Sequence, residues 1–140
     1  MGQSETFDHT ADLGLRVRAA DLNDLFRTAA AGLFDVIVAN RQQVVEHDQE
    51  EITLLADSPE SLLVDWLNEL IFRAETEHKL FCRFDVNVAE GGLSLQATVH
   101  GEPIDPSRHV LDHEVKAATR HGVRLVRDGE TWLAEVILDI

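Results

Sequence analysis

Two periods of apolar spacing alternate along the chain, and the switches between them mark its elements. Leu15, Val17 and Ala19 alternate with Arg16 and Arg18, the pattern of a strand with one face in water. A short strand before His9 precedes it. After Asp21 the spacing lengthens: Leu22, Leu25, Phe26, Ala29, Leu33, Phe34 and Ile37 recur at three and four. That predicts a helix capped by Asp21, with a stripe that must face a sheet. Residues 44–56 read as a strand interrupted by the polar run Glu46 to Glu51, either a hairpin or a long edge. Ser58, Pro59 and Glu60 then give a cap, a proline at the first helical position and an acid in the first turn. The helix they start carries Leu62, Leu63, Trp66, Leu67, Leu70, Ile71 and Ala74 on one face and runs to about Thr76. Its polar row holds Asp65, Asn68, Glu69 and Arg73 and reads as a solvated edge.

Beyond Thr76 the period returns to two. Cys82, Phe84, Val86 and Val88, a turn at Glu90, Gly91 and Gly92, then Leu93, Leu95, Ala97 and Val99 predict a hairpin in which Cys82 is a core thiol. A proline-flanked segment, Gly101 to Ser107, leads to an expected strand over His109 to Thr119. Val123 to Arg127 and Thr131 to Leu138 flank Asp128-Gly129, a two-residue turn signal, and form the last pair. The fold class is therefore α+β. We expect one domain, residues 1–140, with a mixed, mostly antiparallel β-sheet packed against two main α-helices.

Composition supports that count and narrows the partners. A 140-residue chain with 44% apolar and 27% charged positions can bury a core without staples, and the lone Cys82 excludes an internal disulfide or a multi-cysteine metal centre. Twelve Lys and Arg against twenty-six Asp and Glu leave a net charge of −14. With no basic patch, direct nucleic-acid binding is not expected. A basic, apolar leader is absent from the first residues and no apolar stretch approaches a membrane span, so the expected setting is cytoplasmic with no membrane.

Nucleotide-binding and hydrolase motifs (GxGxxG, GxxxxGK[ST], GxSxG, HExxH) are missing. His109, His113 and His121 fall on a loop and a strand rather than one helical face, and salt bridges with Asp112 and Glu114 explain them better than zinc. The segment His9-Thr10-Ala11-Asp12-Leu13-Gly14 is more informative. It sits between two strands, with Gly14 free to take an unusual backbone angle, and presents a carboxylate, or else turns on Asp12 bonding nearby amides. At the other end, Asp139 and the terminal carboxylate of Ile140 put two negative groups on adjacent residues. If the last strand lies beside the first ones, Asp12, Asp139 and Ile140 converge on a site for Ca²⁺, Mg²⁺ or Mn²⁺, cations that take oxygen ligands.

These segments, with Ala29-Ala30-Ala31-Gly32-Leu33-Phe34-Asp35-Val36, Leu62-Leu63-Val64-Asp65-Trp66-Leu67-Asn68-Glu69-Leu70, Glu114-Val115-Lys116-Ala117-Ala118-Thr119 and the Leu138-Asp139-Ile140 ending, resemble the archease family from the first strand to the last residue. Thr119-Arg120-His121 stands where the family often has Thr-Tyr-His. The resemblance implies a non-enzymatic cofactor of the RtcB-type tRNA-splicing RNA ligase that promotes guanylylation and multiple turnover in tRNA splicing and RNA repair. It implies a divalent cation, calcium first, on Asp12, Asp139 and Ile140, a functional lysine at Lys116, and His9 accompanying the motif. Two other readings are a modulator of a tRNA methyltransferase and a metal-dependent hydrolase using the same carboxylates.

Overall fold

The computed structural model describes residues 2–9 and 12–140; Thr10, Ala11 and the side chains of Asp8 and His9 lie outside the described set. Seven strands and two helices follow one another as β1 (Gln3–His9), β2 (Asp12–Ala19), α1 (Leu22–Ile37), β3 (Asp48–Leu55), α2 (Pro59–Glu77), β4 (Lys79–Val88), β5 (Ser94–Pro103), β6 (Ala117–Asp128) and β7 (Thr131–Asp139). The α+β class is as expected. The strands divide into two antiparallel sheets, ordered β1-β2-β7-β6 and β3-β5-β4. Periodicity reveals a strand but not its neighbours, so this division was not visible in the sequence.

Both helices start where their caps stand. The Asp21 carboxylate accepts from the Asp24 amide at 2.8 Å and Ser58 Oγ from the Ser61 amide at 3.1 Å. Each helix touches both sheets, so the pair forms the shared core. Trp66 Nε1 donates to the Phe26 carbonyl at 3.0 Å, tying α2 to α1. Phe34 lies edge-on to Phe81 and stacked on Phe84, with Trp66 closing the cluster edge-on to Phe84.

Several expectations change in three dimensions. Residues 48–55 form one edge strand, not a hairpin. Its polar run keeps the strand period: Asp48 and Glu50 continue the parity of buried Ile52 and meet Lys79 at 3.3 and 3.1 Å, and Glu50 also meets Arg73 at 2.9 Å. The strand expected from His109 begins only at Ala117 and continues through Val123–Arg127 as one element, with its register shifted between Thr119 and Arg124. Residues 110–113 instead run past the end of α1, where Asp112 and His113 amides donate to the Ile37 and Val36 carbonyls at 2.8 and 3.0 Å. Gly101–Pro103 belong to β5 rather than to the following loop. Cys82 falls in a bulge between Phe81 and Arg83, so it is half-buried rather than a core thiol, and burial raises its pKa. Nor is the polar row of α2 simply solvated. Asn68 accepts from the Ala118 amide at 2.8 Å and donates to its carbonyl at 3.0 Å, closing the open edge of β6. Asp65 pairs with Arg120, and Glu69 with Arg73.

Gly14 also departs from expectation. It sits within β2 opposite Phe7, outside the left-handed region, and a Cβ there would lie 2.2 Å from the Phe7 ring. It is glycine for want of space, not for its backbone angle. Gly14→Ala is therefore expected to displace the ring and cost about 1–2 kcal/mol in denaturant unfolding, the scale of an overpacked site.

Candidate functional site

Strand register brings the predicted acids to one end of the four-stranded sheet. His9 pairs with Asp12 across β1 and β2, and the β2–β7 ladder runs to Leu13 opposite Leu138. One step further, Asp12 and Asp139 stand level. On the far side Asp139 pairs with Ala117, and the Lys116 amide donates to the Asp139 carbonyl at 2.7 Å. His9, Asp12, Asp139 and Ala117 thus form one row, with Lys116 and Ile140 just beyond it.

Alternation fixes the face. Leu15, Val17, Val136 and Leu138 are buried toward the helices, so Asp12 and Asp139 belong to the opposite face with Gly14, Arg16 and Glu135. Side chains opposed in this way have Cβ atoms about 4.5–5.5 Å apart, and like charges there destabilise the pair. Both aspartates are half-buried, and neither side-chain carboxylate has a hydrogen bond or ion pair among the described residues. Four positions along the same strand the treatment differs: Glu135 is held by Arg16 at 2.6 Å and Arg124 at 3.3 Å, and the Arg16 hydrogen bond lowers its carboxyl pKa. Arg16 also meets Glu5 at 3.0 Å and lies over the Phe7 ring. The sheet supplies arginines to one acid of this face and none to the pair at its end.

The donor set suits a hard cation. Two carboxylates provide four oxygens, and Thr119 Oγ1, two residues inward on β6 and opposite Ile137, is buried without a hydrogen-bond partner among the described residues. Among the described residues no three His, Cys, Asp or Glu side chains gather closely enough to hold a metal ion. The Ile140 side chain packs against the core, continuing the parity of Val136 and Leu138, which leaves its main chain at the strand end.

The two lysines contrast sharply. Lys79 is held by Asp48, Glu50 and Glu77, whereas Lys116 is exposed and has no ion pair among the described residues. The three histidines considered for zinc do not assemble. His109 is fully buried with Nε2 3.0 Å from Glu102, His113 is exposed beside Asp112 at 3.4 Å, and His121 is exposed in the irregular part of β6. Sequence reasoning missed the Glu102–Arg108–His109 cluster, because Glu102 meets His109 only after a turn at Asp105 folds the loop back.

Two helices shared between two antiparallel sheets, with an acidic strand end, define a small α+β domain class. The profile of the Archease protein family (MTH1598/TM1083) matches residues 5–140. The protein archease of Methanopyrus kandleri is 38% identical over 138 residues, covering 97% of this chain and 98% of that protein. That of Pyrococcus abyssi is 36% identical over 144 residues and all of both chains. The solution structure of Methanobacterium thermoautotrophicum protein 1598 superposes with a TM-score of 0.79 at 31% identity, covering 98% of each chain. The chain belongs to the archease family. A crystal structure described as an archease, possible chaperone, from Thermotoga maritima has a TM-score of 0.62 at 17% identity over 97% of this chain and 96% of that one, a likeness of fold. No helix among the described residues is long and apolar enough to cross a membrane.

Proposed function

We propose that this chain is an accessory activator of an RtcB-type RNA ligase, not itself a ligase, and that Asp12, Asp139 and the Ile140 carboxylate hold a divalent cation, calcium first and magnesium or manganese otherwise. One observation carries the reading: the strand register sets two half-buried aspartates level at a sheet end, with no ion pair to either among the described residues. Such a pair is unfavourable alone and favourable around a cation. When bound, the ion would supply concentrated positive charge and open positions for water or phosphate oxygens. Asp12 and Asp139 hold it from adjacent strands. Lys116, one residue beyond Ala117, offers an ammonium with no ion pair among the described residues, and the His9 backbone stands in the same row.

The net charge of −14 suits the same partner. A ligase surface that binds RNA is basic, and an acidic protein is steered toward it at rates that fall with salt. This fits a protein-docking role in RNA repair better than direct contact with RNA.

The test is ligase guanylylation and multiple turnover with GTP and Mn²⁺, using wild-type chain, Asp12→Ala, Asp139→Ala and Lys116→Ala. Stimulation is expected to fall by roughly tenfold or more in each variant, the scale of a lost charged contact. Near-normal stimulation by folded Asp12→Ala and Asp139→Ala, checked by circular dichroism, would remove the carboxylate site from the account.

A further inference from the structure

A groove of about 290 Å³ opens between the end of α2, the end of α1 and the loop before β6. Its floor is apolar: Ile37, Ile71, Ile104 and Val115 all line it. Its rim is acidic, with Glu75, Asp112 and Glu114 exposed around the opening. Glu75 and Glu114 have no ion pair among the described residues, and Asp112 faces only His113. The one lysine in the lining, Lys79, is already held by three acids. The rim therefore presents uncompensated negative charge around an apolar floor.

The walls are preformed. The Val110 amide donates to Asn40 Oδ1 and its carbonyl accepts from the Ala39 amide, while the Asp112 and His113 amides donate to the Ile37 and Val36 carbonyls at the end of α1. Leu111 bridges to Val38 and remains 54% exposed. On the other side, Phe72 is 61% exposed three residues before Glu75. Helix α2 runs along β6, with Asp65 on Arg120 and Asn68 on Ala118, and Glu75 shares the groove with Val115. Phe72 lies between Asn68 and Glu75 on that row. The lining residues Glu114 and Val115 are followed in the chain by Lys116, whose amide is bonded to the Asp139 carbonyl.

We propose that this groove is the docking site for a segment of the ligase that carries an apolar side chain flanked by Lys or Arg. The inference rests on the ligase reading above and adds the contact surface to it. Charge decides the occupant: the rim repels acidic segments and a second copy of this −14 chain, and it complements a basic segment. The groove falls just under the usual range for small-molecule sites, about 300–1,000 Å³, and suits a side-chain anchor.

The test titrates the ligase with wild-type chain, with Glu75→Lys/Glu114→Lys and with Glu90→Lys, a charge reversal in the distant β4–β5 turn, reading both binding anisotropy and ligase stimulation. Half-saturation by the double variant is expected at roughly tenfold or more higher concentration, with a weaker salt dependence, and Glu90→Lys is expected to match wild type. Unchanged half-saturation in the double variant, with wild-type stimulation present, overturns the groove alone. An equal loss in Glu90→Lys overturns it in favour of general charge steering. Absence of any stimulation by the wild-type chain overturns the ligase reading and the groove with it.

Discussion

Asp139→Asn is expected to make the cation-free protein more stable and to remove most of its stabilisation by calcium. Removing one of two facing carboxylates relieves a repulsion of about 0.2–1 kcal/mol. Losing one of two opposed charged ligands should weaken cation binding by roughly a hundredfold, the scale of losing a charged group from such a site. In wild type, by contrast, calcium at a hundred times its dissociation constant adds about 2.7 kcal/mol to stability by mass action. Thermal melts of both proteins with chelator and with calcium read the two effects together. The opposite signs matter, because a merely structural aspartate would lose stability in both conditions. Thr119→Val should behave alike in the weaker sense: it removes a buried hydroxyl that has no partner among the described residues, so the cation-free fold should not suffer.

The second large effect lies away from the site, at Glu102. Its carboxylate is buried and takes a short hydrogen bond from Arg108, one from the Val45 amide at 2.6 Å and one from His109 Nε2 at 3.0 Å. His109 Nδ1 accepts from the Asp105 amide at 2.9 Å, so the ring proton on Nε2 is the one given to Glu102. The Arg108 hydrogen bond leads the causes that hold the Glu102 pKa at about 2, below its ordinary 4.5, against the opposing effect of burial. The folded pKa is depressed, so the stabilisation is complete above about pH 4.5 and is lost as the pH falls toward 2. That displacement corresponds to about 3 kcal/mol. Glu102→Gln should cost a similar amount at pH 7 and should flatten the decline in stability between pH 5 and pH 2. Urea unfolding at pH 7, 5, 4 and 3 checks both. The cluster pins the loop between β5 and β6, and that loop forms one wall of the acidic groove and ends at Lys116. Weakening it should loosen the groove before it disturbs the paired strands.

What the sequence disclosed follows from the range of the forces involved. Asp21 and Ser58 announced their helices because a cap is a bond to an amide three residues on. The stripes of α1 and α2 were readable for the same reason, since burial of a helix face imposes a local period. The path of residues 104–116 was not readable. It is set by the carbonyls at the end of α1 and by Glu102 reaching His109, contacts that no local pattern encodes. The parity of Asp48 and Glu50 was obscured because their charge is matched by Arg73 and Lys79 from elements later in the chain. The bulge at Cys82 likewise breaks a period that looked regular.

The carboxylate site stood between these cases. Asp12 and Asp139 were legible as candidates from their places at strand ends, but standing level at one sheet end depends on β2 pairing with β7 in one register, which runs to Leu13 opposite Leu138. A shift by one residue would turn Asp139 to the helices and Leu138 to the open face. What no sequence pattern could supply is the contrast along that face, with arginines bracketing Glu135 and, among the described residues, none paired with the aspartates.

A crystal of the protein soaked in Mn²⁺ and measured at the manganese absorption edge addresses the cation site directly. The account predicts one strong anomalous peak between the Asp12 and Asp139 carboxylates, beside the end of β7, and its loss in Asp139→Asn. A map with no peak there at millimolar Mn²⁺, or with one only at surface acids such as Glu75 and Glu114, would contradict it.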